Sequence, residues 1–160
     1  MTSEHEATER NKRIVYRFMD ECWNKGDLRS VHELMAANCR FHDPVFPHLQ
    51  AGAESMRHHI ENCRRGFPDL KFTVDDTIAE RNEVVVHWTI NGTHKGEFLG
   101  MPATGKKAFV TGTSIFRFEG QMIAEEWSNW NLMSLMEQLG VAPAPQQVAS
   151  MPQAGAKIVV

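Results

Sequence analysis

Ile123-Ala124-Glu125-Glu126-Trp127-Ser128-Asn129-Trp130-Asn131 runs straight into Leu132-Met133-Ser134-Leu135-Met136-Glu137-Gln138-Leu139-Gly140. The first part reads as a strand from Met122 to about Trp130, and the second as a short amphipathic helix with Leu132, Leu135, Met136 and Leu139 on its apolar side. Successive side chains of a strand alternate faces. Trp127, Asn129 and Asn131 therefore share one side, and Glu126, Ser128 and Trp130 the other, unless a bulge intervenes.

Working outward, the Glu119-Gly120 turn joins this strand to a long one over Ala108 to Phe118. Upstream, Leu70, Phe72 and Val74 alternate with polar residues, and Arg81-Asn82 separates that run from Glu83 to His94, which predicts a hairpin. The N-terminal third has the helical period instead. Ile14, Val15, Phe18, Cys22 and Trp23 form one stripe between Glu9 and Lys25, and Gly26 ends it. Asp27 caps a second short helix through Met35, with Leu28, Val31, Leu34 and Met35 buried. Arg40 to Pro44 reads as a short extended segment, and a third helix runs from about Gly52 to Arg65 with Met56, Ile60 and Cys63 inward. Helices first and an antiparallel meander second predict an α+β domain with helices on one face of the sheet.

One domain over residues 1–141 accounts for the 160-residue chain, and the Ala/Pro/Gln-rich stretch 142–160 reads as a mobile tail. A net charge of −3, with 42% hydrophobic and 23% charged residues, gives no footprint for nucleic acid or an anionic membrane. No segment has signal-peptide or membrane-span character, so a cytoplasmic protein is expected. Cys22, Cys39 and Cys63 lack metal or disulfide spacing and read as buried, inert thiols.

Six motifs occur in order: Phe41-His42-Asp43-Pro44, Phe67-Pro68-Asp69-Leu70, Gly92-Thr93-His94-Lys95-Gly96-Glu97-Phe98, Pro102-Ala103-Thr104-Gly105-Lys106, Ile115-Phe116-Arg117-Phe118 and Glu125-Glu126-Trp127. Together with the closing strand and helix, this set resembles the SnoaL-like polyketide cyclase or ester cyclase family of the nuclear transport factor 2-like superfamily. The resemblance implies a cone-shaped barrel in which a curved antiparallel sheet and N-terminal helices enclose one pocket. It also implies cofactor-independent cyclase or isomerase chemistry, with no metal, on a hydrophobic, polyketide-like metabolite.

In the family's cyclases an aspartate on this last segment is the general acid/base, and by resemblance its position here holds Asn131. An amide cannot abstract a proton, although its N–H groups can orient a carbonyl or enol. By the same resemblance Asn131, Asn129 and Trp127 face the cavity. The proton carrier is then sought among histidines, whose ordinary pKa lies near neutrality. His42 either lines the pocket or fixes the helix-to-strand corner. His94 shares the parity of Val86, Trp88 and Ile90, and sits either at the cavity mouth or in a loop-holding role.

Trp88, Phe98, Met101, Phe109, Trp127 and Asn129 are the expected substrate contacts, since an apolar aromatic pocket suits a flat hydrophobic ligand. Arg117 is expected to pair with Glu125 or Glu126 across the short turn, a second reading making it a cation that steadies an enolate or carboxylate. A non-catalytic or differently catalytic binding protein is the alternative function. Epoxide hydrolysis ranks third, because the last strands carry no paired aspartates with an arginine between them. A homo-oligomer, dimer or tetramer, would cover the second face of the sheet.

Overall fold

Ser3 starts the first helix with a capping box: its hydroxyl accepts from the Glu6 N–H, and the Glu6 carboxylate accepts from the Ser3 N–H at 2.8 Å. This helix, α1, spans Glu4–Arg17 and begins five residues before the apolar stripe reveals it. It continues into a π-helical segment, Phe18–Asn24, where the Lys25 N–H reaches back to the Asp20 carbonyl at 2.9 Å. The wider turn buries Phe18, Met19, Cys22 and Trp23 together. The structure is a computed structural model that describes residues 3–141; the expected mobile tail lies outside the described residues.

Helix α2 (Arg29–Leu34) passes directly into strand β1 (Met35–His42), so Met35 is the first strand residue rather than the end of a helix. β1 is also longer than the Arg40–Pro44 segment expected. Its small and polar residues, Ala36, Ala37 and Asn38, carry no alternation, because the strand lies on the sheet edge and is bulged between Met35 and Arg40. Helix α3 (Ala53–Gly66) and strands β2 (Lys71–Glu80), β3 (Glu83–Thr93), β4 (Lys107–Glu119) and β5 (Met122–Trp130) follow, and α4 (Leu132–Gln138) closes the described chain. Arg81 takes a positive φ of 53° in the β2–β3 turn.

The sheet order is β1-β5-β4-β3-β2. Four strands form the expected antiparallel meander, but β1 pairs with β5 in parallel, so the sheet is mixed, not purely antiparallel, and it remains open. The chain leaves β1 through α3 and returns to the far edge at β2, which accounts for the one parallel pair. One face packs on the helices. Its core includes Phe18 of the π-helical segment edge-on to Phe116 of β4, with ring centroids 5.9 Å apart.

The register of β4 and β5 decides what faces that core. Phe118 pairs with Ile123, but Arg117 pairs with Glu125, so Ala124 is an extra residue in a bulge. Ile123 is fully buried. Unbroken alternation from it would point Glu125, Trp127 and Asn129 inward; the bulge instead brings in Glu126, Ser128 and Trp130.

Candidate active site

An apolar cavity lies between the sheet and the helices, bordered by β5 through Glu126, Ser128 and Trp130, by Trp23 of the π-helical segment and by His59 of α3. Its wall is mostly apolar, with Phe41, Phe46, Phe72 and Phe98 contributing rings. No lysine or arginine borders it among the described residues.

Glu126 is the unusual member. Its Oε1 accepts from the Ser128 hydroxyl at 2.9 Å, while Oε2 is buried and has no hydrogen-bond partner among the described residues. Burial pushes the carboxyl up to about 7; the bond from Ser128 works against that rise and the charge of Asp43 adds to it. A carboxyl whose protonation balances near neutrality, with one oxygen uncommitted on a residue that borders a cavity, has the properties of a general acid/base.

Asp43, just after β1, is tied down at both oxygens: Oδ1 accepts from the Val45 N–H at 2.8 Å and Oδ2 from the Trp130 indole at 3.1 Å. His59 is held neutral by burial, which pulls its pKa down to about 4 against the opposing charge of Asp43. Its ring lies edge-on to Phe46 at 4.5 Å and to Trp23 at 5.8 Å. A neutral imidazole of this kind can orient a carbonyl but carries no charge.

Beneath Glu126 runs a polar chain. The Trp88 indole donates to Ser114 Oγ at 3.0 Å, and Ser114 Oγ is 2.7 Å from Ser128 Oγ. Gly112, opposite Trp88 in the β3–β4 register, leaves room for the ring, since a Cβ there would collide with it.

The other face of β5 is built differently. Glu125 Oε2 accepts from Arg40 Nη2 at 2.8 Å and Arg117 Nε at 3.0 Å, and Oε1 lies 2.8 Å from His42 Nε2. Burial alone would raise this carboxyl; the bonds from His42 and Arg117 and the charge of Arg40 outweigh it and hold it below its ordinary value. Arg117 thus has the pairing role expected of it, and through Glu125.

The residues singled out from the sequence divide accordingly. Trp88, Phe98 and Phe109 border the cavity, whereas Met101, Trp127 and Asn129 do not. Met101 bridges to Phe98 from the neighbouring loop, Asn129 is exposed, and Trp127 stacks on His42 at 5.1 Å on the outer face. His42 touches the cavity edge, but its ring is engaged by Trp127 and Glu125. His94 is fully buried outside the cavity wall: it stacks on Phe67, and its Nδ1 takes the Thr104 N–H at 3.3 Å, fixing the 94–106 loop. Asn131 is the N-cap of α4, its Oδ1 accepting from the Ser134 N–H at 2.9 Å. The histidines and Asn131 therefore do not converge. Glu126, Ser128 and Ser114 were missed; their signal was a run of polar residues in strand positions whose neighbours of the same parity are apolar.

The family model for SnoaL-like polyketide cyclases matches residues 13–139. The chain belongs to that family. Among solved structures, this SnoaL-like protein resembles TsrD from Streptomyces laurentii with 28% identity and a TM-score of 0.77 over 84% of this chain and 97% of that one. A protein from Jannaschia sp. CCS1, provisionally described as a SnoaL-like polyketide cyclase, matches with 25% identity and a TM-score of 0.77 over 86% and 96% of the two chains. IdmH from Streptomyces antibioticus, provisionally described as a polyketide cyclase, matches with 27% identity and a TM-score of 0.72 over 82% and 99%. A search of curated proteins returns no match. No described helix of the SnoaL-like domain is long and apolar enough to cross a membrane.

Proposed function

We propose that the cavity performs cofactor-independent acid/base chemistry of cyclase or isomerase type on a neutral, largely apolar, polyketide-like ligand, with Glu126 moving the proton. The observation that carries this reading is the uncommitted, buried Oε2 of Glu126 in an apolar cavity. The ligand is neutral because a carboxylate would meet two acidic groups, Glu126 and Asp43, and no lysine or arginine of the described residues borders the cavity.

In the forward step ionised Glu126 takes a proton from an activated methylene onto Oε2, and the C–H electron pair passes into an enolate. The enolate carbon then forms a bond to a second carbonyl carbon of the same molecule. The alkoxide left on that carbonyl takes the proton back from Glu126, so no net proton is consumed. The neutral His59 and the Trp23 and Phe46 rings hold the ligand plane.

The enolisation half-step can be tested without the natural ligand, by following deuterium uptake from D2O into the activated methylene of 2-tetralone by NMR. The protein is expected to accelerate exchange over buffer, and Glu126→Gln to reduce that acceleration by about 10²–10⁴-fold. Equal exchange in both proteins would overturn the assignment and leave a ligand-binding role.

A further inference from the structure

We propose that Trp88, Ser114 and Ser128 form a one-way hydrogen-bond chain that ends on Oε1 of ionised Glu126 and leaves Oε2 as the oxygen free to take the proton. The proposal deepens the acid/base reading of Glu126 and rests on it.

The direction follows from counting hydrogens. An indole N–H can only donate, so Ser114 Oγ receives the hydrogen of Trp88 at 3.0 Å. Ser114 is buried, and its only other polar partner among the described residues is Ser128 Oγ at 2.7 Å. An ionised carboxylate can only accept, so Ser128 gives its single hydrogen to Glu126 Oε1 at 2.9 Å and Ser114 must give its own to Ser128; every hydrogen of the chain then has an acceptor, and Oε2 alone is left without a partner among the described residues. A proton arriving at Oε2 leaves this chain as it stands, whereas a proton on Oε1 would require both hydroxyls to turn and would leave the Ser114 hydrogen without an acceptor. Oε1 is therefore the acceptor end of the chain, and Oε2 is the oxygen that takes the proton without disturbing it.

The chain depends on backbone geometry as well. Ser114 and Ser128 face each other in the β4–β5 register, and Gly112 lets the Trp88 ring lie close enough to reach Ser114. Trp88, Ser114 and Ser128 are thus positioning residues, and Trp88 offers a ligand its ring but not its N–H. Other titratable groups near Glu126 are Cys39, His42 and Asp43 on and after β1 and His59 and Cys63 on α3; the π-helical segment, β2, β3, β4 and α4 present none to the cavity.

The test is a titration of the full chain labelled with 13C at the glutamate side-chain carboxyls, read by NMR with no ligand, Glu126→Gln identifying the resonance. In the unsubstituted protein the Trp88 indole proton is expected to shift with the Glu126 midpoint. Ser128→Ala, which removes a donor to the ionised form, should raise that midpoint by about one pH unit, and Ser128→Thr should restore it. Ser114→Ala should uncouple the indole proton from the titration. An unchanged midpoint in Ser128→Ala, or an indole proton that ignores Glu126 in the unsubstituted protein, would overturn the chain. Deuterium exchange separates the two claims: no exchange with the NMR coupling intact defeats only the acid/base reading, whereas exchange lost in Glu126→Gln with no coupling defeats only the chain.

Discussion

Glu125 and Glu126 are neighbours in sequence and both buried, yet they occupy opposite worlds. Glu125 faces the outer side of the sheet, where two guanidinium groups and an imidazole converge on it and its carboxyl is held below its ordinary value. Glu126 faces the apolar cavity with one hydroxyl donor and no cation, and burial pushes it up to about 7. Identical side chains one residue apart thus acquire opposite carboxyl shifts from surroundings alone, and the divide between them is the pleat of β5.

The comparison is broken most severely by changing Glu126. Loss of about 10²–10⁴-fold in 2-tetralone exchange in Glu126→Gln, against an unaffected rate in Glu125→Gln, is the largest expected effect, measured by NMR. The same pair should diverge in stability. Raising the Glu126 carboxyl from 4.5 to about 7 means that the folded state binds its proton more tightly than the unfolded state does. That stabilisation is complete below about 4.5 and is lost as pH rises toward about 7; the gap corresponds to about 3 kcal/mol. Urea unfolding should therefore show Glu126→Gln gaining stability relative to the unsubstituted protein as pH rises from 4.5 to 8.

Glu125 has the opposite sign. Its depressed carboxyl stabilises the fold above 4.5, and that contribution disappears as pH falls through its folded value. Glu125→Gln should cost about 1–3 kcal/mol at pH 7, by removing the charge from a set of three hydrogen bonds, and the deficit should shrink in acid. Asn131→Ala is the smallest change. Losing the α4 cap should cost about 1 kcal/mol with 2-tetralone exchange unaltered. A large loss of exchange in that variant would return Asn131 to the chemistry.

Most elements were legible because their signals are local. The β2–β3 hairpin announces itself by alternation around Arg81-Asn82, and β4 by its strict inward series Ala108, Val110, Gly112, Ser114, Phe116 and Phe118. The start of β1 was not legible, since its edge position imposes no pattern on Ala36 to Asn38. The two faces of β5 were separated correctly from the sequence, but the cavity side was assigned to Trp127, Asn129 and Asn131. Nothing local marks Ala124 as the bulge; it exists because Arg117 must meet Glu125 while Phe118 and Ile123 stay in the core, a constraint set between strands. The histidines show the same limit. His42 and His94 carry the right chemistry for proton transfer, and it is tertiary partners, Glu125 and Thr104, that commit them elsewhere.

The most direct measurement is the 13C carboxyl titration of both glutamates in one spectrum of the full chain. The two resonances should move far apart in pH, Glu126 near 7 and Glu125 below 4.5. Midpoints that coincide near 4.5 would contradict the division of roles across β5.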